Sequence, residues 1–220
     1  MILAVDTSSA LTSVAVVDGS SVVIERSDLD ARRHAESIGP MLAEVCAAVP
    51  QAAIDAVACG VGPGPYTGLR VGIASAIALG LAWEVPVYGL CSLDAIAAQV
   101  RAERPGLDGM VVASDARRRE VYWAQYDRLG RRVAGPRVMP AEDAGVEAAQ
   151  AHAAWVGRRV AELLAAGEGI ADVVPRLDAH GDDTGASAAS LAGAALLPPR
   201  ALYLRRPDAM EPTVPSGART

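Results

Sequence analysis

The chain opens on a short apolar run, Ile2 to Val5, that stops at Asp6 and passes into the turn-forming Thr7-Ser8-Ser9. Two valine-rich segments, 12–17 and 21–26, follow. Asp18-Gly19 between them is the signal of a two-residue hairpin with a type I′ turn. From His34 to Val49 the period changes. Ile38, Met41, Leu42 and Val45 recur at helical spacing, and Pro40 among them predicts a kink or a late helix start. Residues 54–61 read as a buried strand, GPGPYTG at 62–68 as a loop, and 69–83 as a helix. A strand over 85–90 and a helix over 92–103, capped by Ser92, lead to the breaker Arg104-Pro105-Gly106.

Beyond the breaker the pattern restarts. Apolar residues 110–114 end at Asp115, 120–126 alternate as a strand does, and a third strand is predicted near 131–138. Asp6 and Asp18 are 12 residues apart, as are Asp115 and Asp127, and the second pair lies 109 residues after the first. That repeated order predicts a duplicated lobe: 1–103 as the first, 104–205 as the second, and 206–220 as a tail. The remaining pattern is weaker. It predicts a helix over 140–150, a strand over 153–157, a helix over 158–166, a loop over 180–187 and a small-residue helix over 186–197.

A chain of 220 residues, 51% hydrophobic and 21% charged, has ordinary globular composition and length for a sizeable core. The net charge of −6 argues against attraction of the whole molecule to nucleic acid. The arginine runs at 117–119, 131–132, 158–159 and 205–206 are read as solvated faces that together could form a local basic strip. All 20 bases are arginine. Without lysine, Schiff-base chemistry, a P-loop and protein-kinase chemistry are excluded. Cys46, Cys59 and Cys91 have no C-x-x-C spacing and read as inert buried thiols. The uncharged stretch Val71 to Trp83 is shorter than the roughly 20 residues that span a bilayer, and no basic leader precedes the first strand. A cytoplasmic protein without a membrane partner is expected.

The glycine loop stands between a strand and a helix, where phosphates are often cradled. Its third glycine falls one place too late for a dinucleotide fingerprint, and Pro63 and Pro65 remove two N–H donors. The helix it opens carries Gly68, Gly72, Ala76 and Gly80 on one face, which predicts unusually close packing, either internal or with a partner helix. Tyr66, Thr67 and Arg70 at its exposed end would add polar specificity. Asp6, Thr7 and Ser8 at a strand end read as phosphate or metal holders, or as local backbone caps. Asp115 with Arg117 has the same two readings and a third, a salt bridge across a cleft. His34 and Glu36 open a helix without a second histidine at the spacing a metal needs.

MILAVDTSS, GPGPYTGLRVG (62–72), DARRREVYWA (115–124) and YLRRPDA (203–209) together resemble the TsaB family, also called YeaZ. In that family the loop usually reads GPGSFTGLR, so Pro65 and Tyr66 are departures here. The resemblance implies an α/β fold of the actin/Hsp70/sugar-kinase kind, two lobes around a cleft built on duplicated βββαβα units, the second degenerate. It implies a non-catalytic scaffold subunit of the complex that makes N6-threonylcarbamoyladenosine beside the tRNA anticodon. The partners would be the catalytic subunit TsaD and the ATPase TsaE, with tRNA met only through the complex and self-association when TsaD is absent. No tightly bound cofactor is implied, only weak ATP or ADP with Mg²⁺ at a complex interface. On this reading the partner interface comprises His34, Glu36, Tyr66, Thr67, Gly68, Leu69, Arg70, Gly72 and Ala76. Asp6, Thr7, Ser8, Asp115 and Arg117 are the nucleotide-binding candidates. The rival reading is an actin-like ATPase or phosphotransferase, or a glycoprotease-like peptidase. The first lacks a Gly-Gly adenosine loop (Gly157 and Gly193 stand alone), and the second lacks a visible nucleophile with its base.

Overall fold

The computed structural model describes residues 1–30, 34–170 and 196–204. Its main sheet has the order β3-β2-β1-β4-β5, built from β1 (Ile2–Asp6), β2 (Leu11–Asp18), β3 (Ser21–Leu29), β4 (Ala56–Gly60) and β5 (Val87–Leu90). The first three strands pair antiparallel and β1, β4 and β5 pair parallel. A second sheet of β6 (Gly109–Asp115), β7 (Glu120–Asp127) and β8 (Arg132–Pro140) is antiparallel throughout. β1 and β6 both end on the aspartates of the repeat, as do β2 and β7. Within each pair the first aspartate accepts the N–H two residues on: Asp6 from Ser8 at 2.9 Å, Asp115 from Arg117 at 2.8 Å. The 109-residue offset therefore marks a repeated antiparallel hairpin with the same aspartate contact at the end of its first strand, although the turns differ in length and only the second has positive φ.

Alternation along β1 sends side chains to two helical layers. Leu3 and Val16 meet Val45 of α1 (His34–Ala48) and Trp83 of α2 (Tyr66–Trp83). Ala4 and Val17 face the other way, towards Gly157 of α4 (Ala153–Ala165). α3 (Ser92–Glu103) packs beside α4 and against β6. So a helix from the second half of the chain covers the back of the first sheet. One core runs through both halves, from Val5, Leu69 and Leu90 to Tyr126, Val160 and Leu196. Each such fully buried valine or leucine contributes about 1.5–3 kcal/mol.

Several expectations change. The hairpin loop is Gly19-Ser20, and only Gly19 has positive φ (56°), the sign pattern of type II′ rather than type I′. α1 runs through Pro40 because Gly39 before it has no Cβ to meet the proline ring. α2 starts at Tyr66, three residues earlier than predicted. Ser92 is the first residue of α3, not its cap, and its hydroxyl is used elsewhere. The expected helix over 140–150 is a 3-10 turn at Ala141–Asp143 followed by an extended arm; Gly145 takes φ 67° and ends any helix there. Ala149 instead donates its N–H to the Ala113 carbonyl at the edge of β6. Residues 153–166 do not divide into strand and helix. Ala153, Val156, Val160 and Leu163 are buried at helical spacing along one element, α4. The loop and small-residue helix expected within 180–195, His180, and the tail from 205 lie outside the described residues. Leu197, at the end of that helix, instead exchanges backbone hydrogen bonds with Gly89 at the edge of β5.

Two buried polar contacts fix the elements of the second half. Asp94 on α3 accepts from Arg132 of β8 (2.9 Å) and from the Tyr126 hydroxyl of β7 (2.6 Å). Burial alone would lower the Arg132 guanidinium, but Asp94 beside it leaves it above its usual value. Burial, then Asp94, pushes the Tyr126 phenol up. Arg132 is thus no solvated face, as the 131–132 doublet suggested, but a buried cation. At the start of α4, the N–H groups of Ala153 and Ala154 are taken by Ser13 (3.1 Å) and Glu25 (3.3 Å). His152 sits 3.6 Å from the same Glu25 carboxylate. That contact raises His152 against the effect of its burial, while bonds from His152, Ser13 and Ala154 outweigh burial and lower Glu25.

Asp94→Ala strands Arg132 in the core and is expected to cost about 3–5 kcal/mol, while Asp94→Ala combined with Arg132→Met recovers most of it; urea unfolding checks both. The His152–Glu25 pair adds stability that is full below the usual histidine value of 6.5 and is lost as pH rises through the raised folded one. It is also lost as pH falls through the lowered Glu25 value. The stability difference between the wild type and Glu25→Gln is therefore expected to shrink at both pH extremes in urea titrations.

Candidate functional site

The turn after β1 is buried: Asp6 and Thr7 have no exposed surface, and Ser8 and Ser9 almost none. Asp6 Oδ1 accepts from the Ser8 N–H (2.9 Å) and hydroxyl (2.7 Å), and its Oδ2 from the Ser92 hydroxyl (2.8 Å). Ser92 Oγ in turn accepts the Gly62 N–H at 3.2 Å. Burial raises the Asp6 carboxyl above its usual range, opposed by the bonds from Ser8 and Ser92. The glycines of the loop are there to let it close on this turn. A Cβ at Gly60 would lie 1.7 Å from Asp6 Oδ2, and one at Gly64 2.2 Å from the Ser8 carbonyl.

Thr7 reaches into α2. Its hydroxyl donates to the Gly68 carbonyl (2.7 Å) and accepts the Gly72 N–H (3.1 Å), the two groups that an α-helix would pair with each other. A Cβ at Gly72 would stand 2.3 Å from that hydroxyl oxygen, one at Gly68 2.7 Å from the Thr7 carbonyl, and one at Gly80 2.1 Å from Val87. Ala76 is fully buried on the same face. The small-residue stripe thus receives this chain's own turn and strand. Gly68, Leu69, Gly72 and Ala76, expected at a partner contact, are buried within this chain, as is His34 at 7% exposed. By length and apolarity α2 could cross a membrane, yet this inner face is satisfied by the sheet. Glu36, Thr67 and Arg70 remain exposed and Tyr66 half-buried.

His34 Nδ1 lies 2.6 Å from Thr12 Oγ1, a hydroxyl–imidazole pair of the kind a peptidase would need. Thr12 has no exposed surface, so no substrate reaches it. Burial, then the charge of Arg117, lowers His34 below its usual value. Cys59 and Cys91 are fully buried, their thiols pushed up to about 12, as inert core residues are, and Cys46 is half-buried.

Asp115 and Arg117 are exposed beside a hollow of about 130 Å³ that also touches Ser9, Pro65 and Gln150. Asp115 accepts the backbone N–H of Arg117 rather than its guanidinium. Arg117, Arg118 and Arg119 have φ of 61°, 56° and 63°, at about 1–2 kcal/mol each, and hydrogen bonds across the turn and to Ala141 maintain the conformation. These groups do not fit a nucleotide with its metal. The hollow is below the few hundred Å³ of small-ligand sites, and both Asp6 oxygens already accept hydrogen bonds. Among the described residues no three His, Cys, Asp or Glu side chains converge on a metal position.

Two widely separated motifs meet next to Pro65. Tyr66 stacks on Tyr203 with ring centres 4.8 Å apart, Arg70 lies 3.8 Å over the Tyr66 ring, and its Nε donates to the Tyr203 hydroxyl at 3.3 Å. Pro65 is the N-cap position of α2 and makes no side-chain cap. A serine there could cap the helix, so the departure removes an interaction of about 1 kcal/mol. Sequence reasoning missed Ser92, Tyr203 and the outward surface of α2. That surface carries Thr67, Arg70, Ala74, Ala78 and Leu81, the last 75% exposed. Its spacing at 70, 74, 78 and 81 was present in the sequence, overshadowed by the glycines opposite.

The chain matches the model of the family described as TsaD: tRNA N6-adenosine threonylcarbamoyltransferase over residues 27–175. An uncharacterized protein of Mycobacterium tuberculosis is 47% identical over 64% of this chain and 66% of its own length. The tRNA threonylcarbamoyladenosine biosynthesis protein TsaB of Escherichia coli is 37% identical over 58% of this chain and 55% of its own. The solved structure of YeaZ from Pseudomonas aeruginosa superposes with a TM-score of 0.65 at 27% identity, covering 76% of this chain and 92% of that one. This chain thus spans between about half and two thirds of the two sequence relatives. The mixed sheet with helices on both faces is an α/β fold shared with that YeaZ structure.

Gly72→Ala is expected to destabilise the chain by about 1–3 kcal/mol through the clash with Thr7, despite the gain of about 1 kcal/mol in helix propensity. Ala78→Ser on the outward side should stay within about 0.5 kcal/mol. Urea unfolding of the two variants separates an inward stripe from an outward one.

Proposed function

The chain belongs to the TsaB/YeaZ family, and from that premise we propose that it is a non-catalytic subunit of the machinery that makes tRNA N6-threonylcarbamoyladenosine. In this role it docks on a TsaD-type catalytic subunit, with the ATPase TsaE joining the assembly and tRNA engaged only through it. The observation that carries this reading is the outward surface of α2. From Val71 to Trp83 the helix has no charged residue, and its exposed positions are Ala74, Ala78, Leu81 and Ala82. α1, on the same side of the sheet, exposes the equally small Gly39, Ala43 and Ala47. Two adjacent helices with small, apolar outer positions let a second pair of helices approach closely. Arg70, Thr67 and Glu36 at one end supply directional polar contacts to the partner.

The inner polar groups support the same reading from the other side. Asp6, Thr7 and Ser8 are committed to the β1 turn, the glycine loop and α2, so the groups that would hold phosphate in an enzyme of this fold hold the fold itself. A scaffold needs that rigidity and no open catalytic cleft.

Ala78→Glu and Leu81→Glu each place a charge in the proposed contact. Both variants are expected to fold with unchanged melting temperature and to lose at least about tenfold in affinity for the TsaD-type subunit, measured by calorimetry on the purified chains. Retained affinity in both would remove α2 from the interface.

A further inference from the structure

A second feature lies on the opposite face of the sheet and has no part in that reading. Between α3, α4 and the tip of the β2–β3 hairpin is a cavity of about 670 Å³, the size of a small-molecule site. Its apolar wall is smooth, made of Ala98 and Ala102 from α3 with Ala161 and Ala165 from α4, and Trp155 stands at its side. Three arginines line it: Arg101, Arg158 and Arg159.

Among the described residues, Arg159 is the one of these with a carboxylate partner, Glu162 Oε2 at 2.6 Å. Arg158 lies 4.5 Å over the Trp155 ring, and its Nε is buried without a hydrogen-bond acceptor. Arg101 packs its guanidinium on the backbone of Gly130, where a Cβ would come within 2.3 Å of Nη1, and no acid pairs with it among the described residues. Among the described residues, two half-buried guanidinium side chains without a carboxylate partner thus line one recess, one of them with a buried N–H donor left over. An anion bound there would supply the missing charge and acceptor. Planar guanidiniums favour phosphate oxygens, which they can take in pairs. The alanine wall and the indole accept a flat ring.

We infer that this cavity binds a small phosphorylated ligand with a planar ring, its phosphate taken by Arg101 and Arg158 and its ring laid on the alanine wall beside Trp155. The recognition is of a mononucleotide kind. It needs neither the partner surface on α2 nor the cleft at Asp115.

The test is calorimetric titration of the full chain with adenosine 5′-monophosphate, with inorganic phosphate and with adenosine. One saturable site for the monophosphate is expected, with weaker binding of phosphate or adenosine alone. Arg101→Gln and Arg158→Gln should each weaken it at least about tenfold, as loss of a charge-assisted hydrogen bond does. Leu81→Glu should leave it unchanged, so that failure of the partner interface and failure of this site are read separately. Arg101 is half-buried at the end of α3 and keeps the test valid should Arg158→Gln not fold. Absence of saturable binding at millimolar monophosphate, equal affinity for inorganic phosphate, or unaltered affinity in a folded arginine variant would each overturn the inference.

Discussion

The Thr7 hydroxyl, wedged between the Gly68 carbonyl and the Gly72 N–H, is the contact on which the first half of the molecule turns. It joins the end of β1 to the first turns of α2, and it can do so only because neither helical residue carries a Cβ. The carboxylate beside it, Asp6, reaches α3 through Ser92, and Ser92 receives the N–H of Gly62. Strand, loop and two helices are thereby locked through one turn of four polar residues. Such a network is strong when every member is satisfied and costly when any is not. That explains why so many glycines cluster between residues 60 and 72 in a chain otherwise rich in alanine.

How much of this could be read from the sequence depends on the kind of signal. Period-two and helical spacing located β1, β2, β3 and α1 closely, because each buries one face and leaves a regular pattern. The repeated aspartates exposed the duplicated hairpin, since an aspartate that accepts the N–H two residues on is a local device. The glycine stripe was equally visible, but it announces only that something comes close to the helix. Whether that neighbour is foreign or the chain's own Thr7 and Val87 depends on contacts 61 or more residues apart in one case and on a crossing strand in the other. The element most misread, α4, shows the same limit. Its short run Ala153 to Gly157 suits a strand by length alone, and only the buried positions further along reveal the helix.

Arginine was the other source of misreading. In a chain whose bases are all arginine, a doublet looks like a solvated face. Arg132 is instead buried against Asp94, Arg159 is nearly buried against Glu162, and Arg158 lies on Trp155. A guanidinium tolerates such places better than an ammonium because it is planar and more weakly hydrated. The loss of lysine thus changes where cations can sit, and it places them inside the fold.

The two sides of α2 divide the labour of the molecule. The inner side bears the fold: a Cβ at Gly68, Gly72 or Gly80 would meet Thr7 or Val87 of the sheet side. The outer side bears no such constraint: Leu81 is three-quarters exposed, and Ala74 and Ala78 lie open beside it. An apolar surface without a structural duty is costly to leave in water, by about 25 cal/mol for each Å². Burial against another protein removes that cost without altering the inner contacts. The polar turn on the inner side is closed, with Asp6, Thr7, Ser8 and Ser92 all committed to hydrogen bonds within the chain. Hydrogen-bonded on the inside and apolar on the outside, α2 has what the proposed docking requires: a fixed backbone behind a small, uncharged surface.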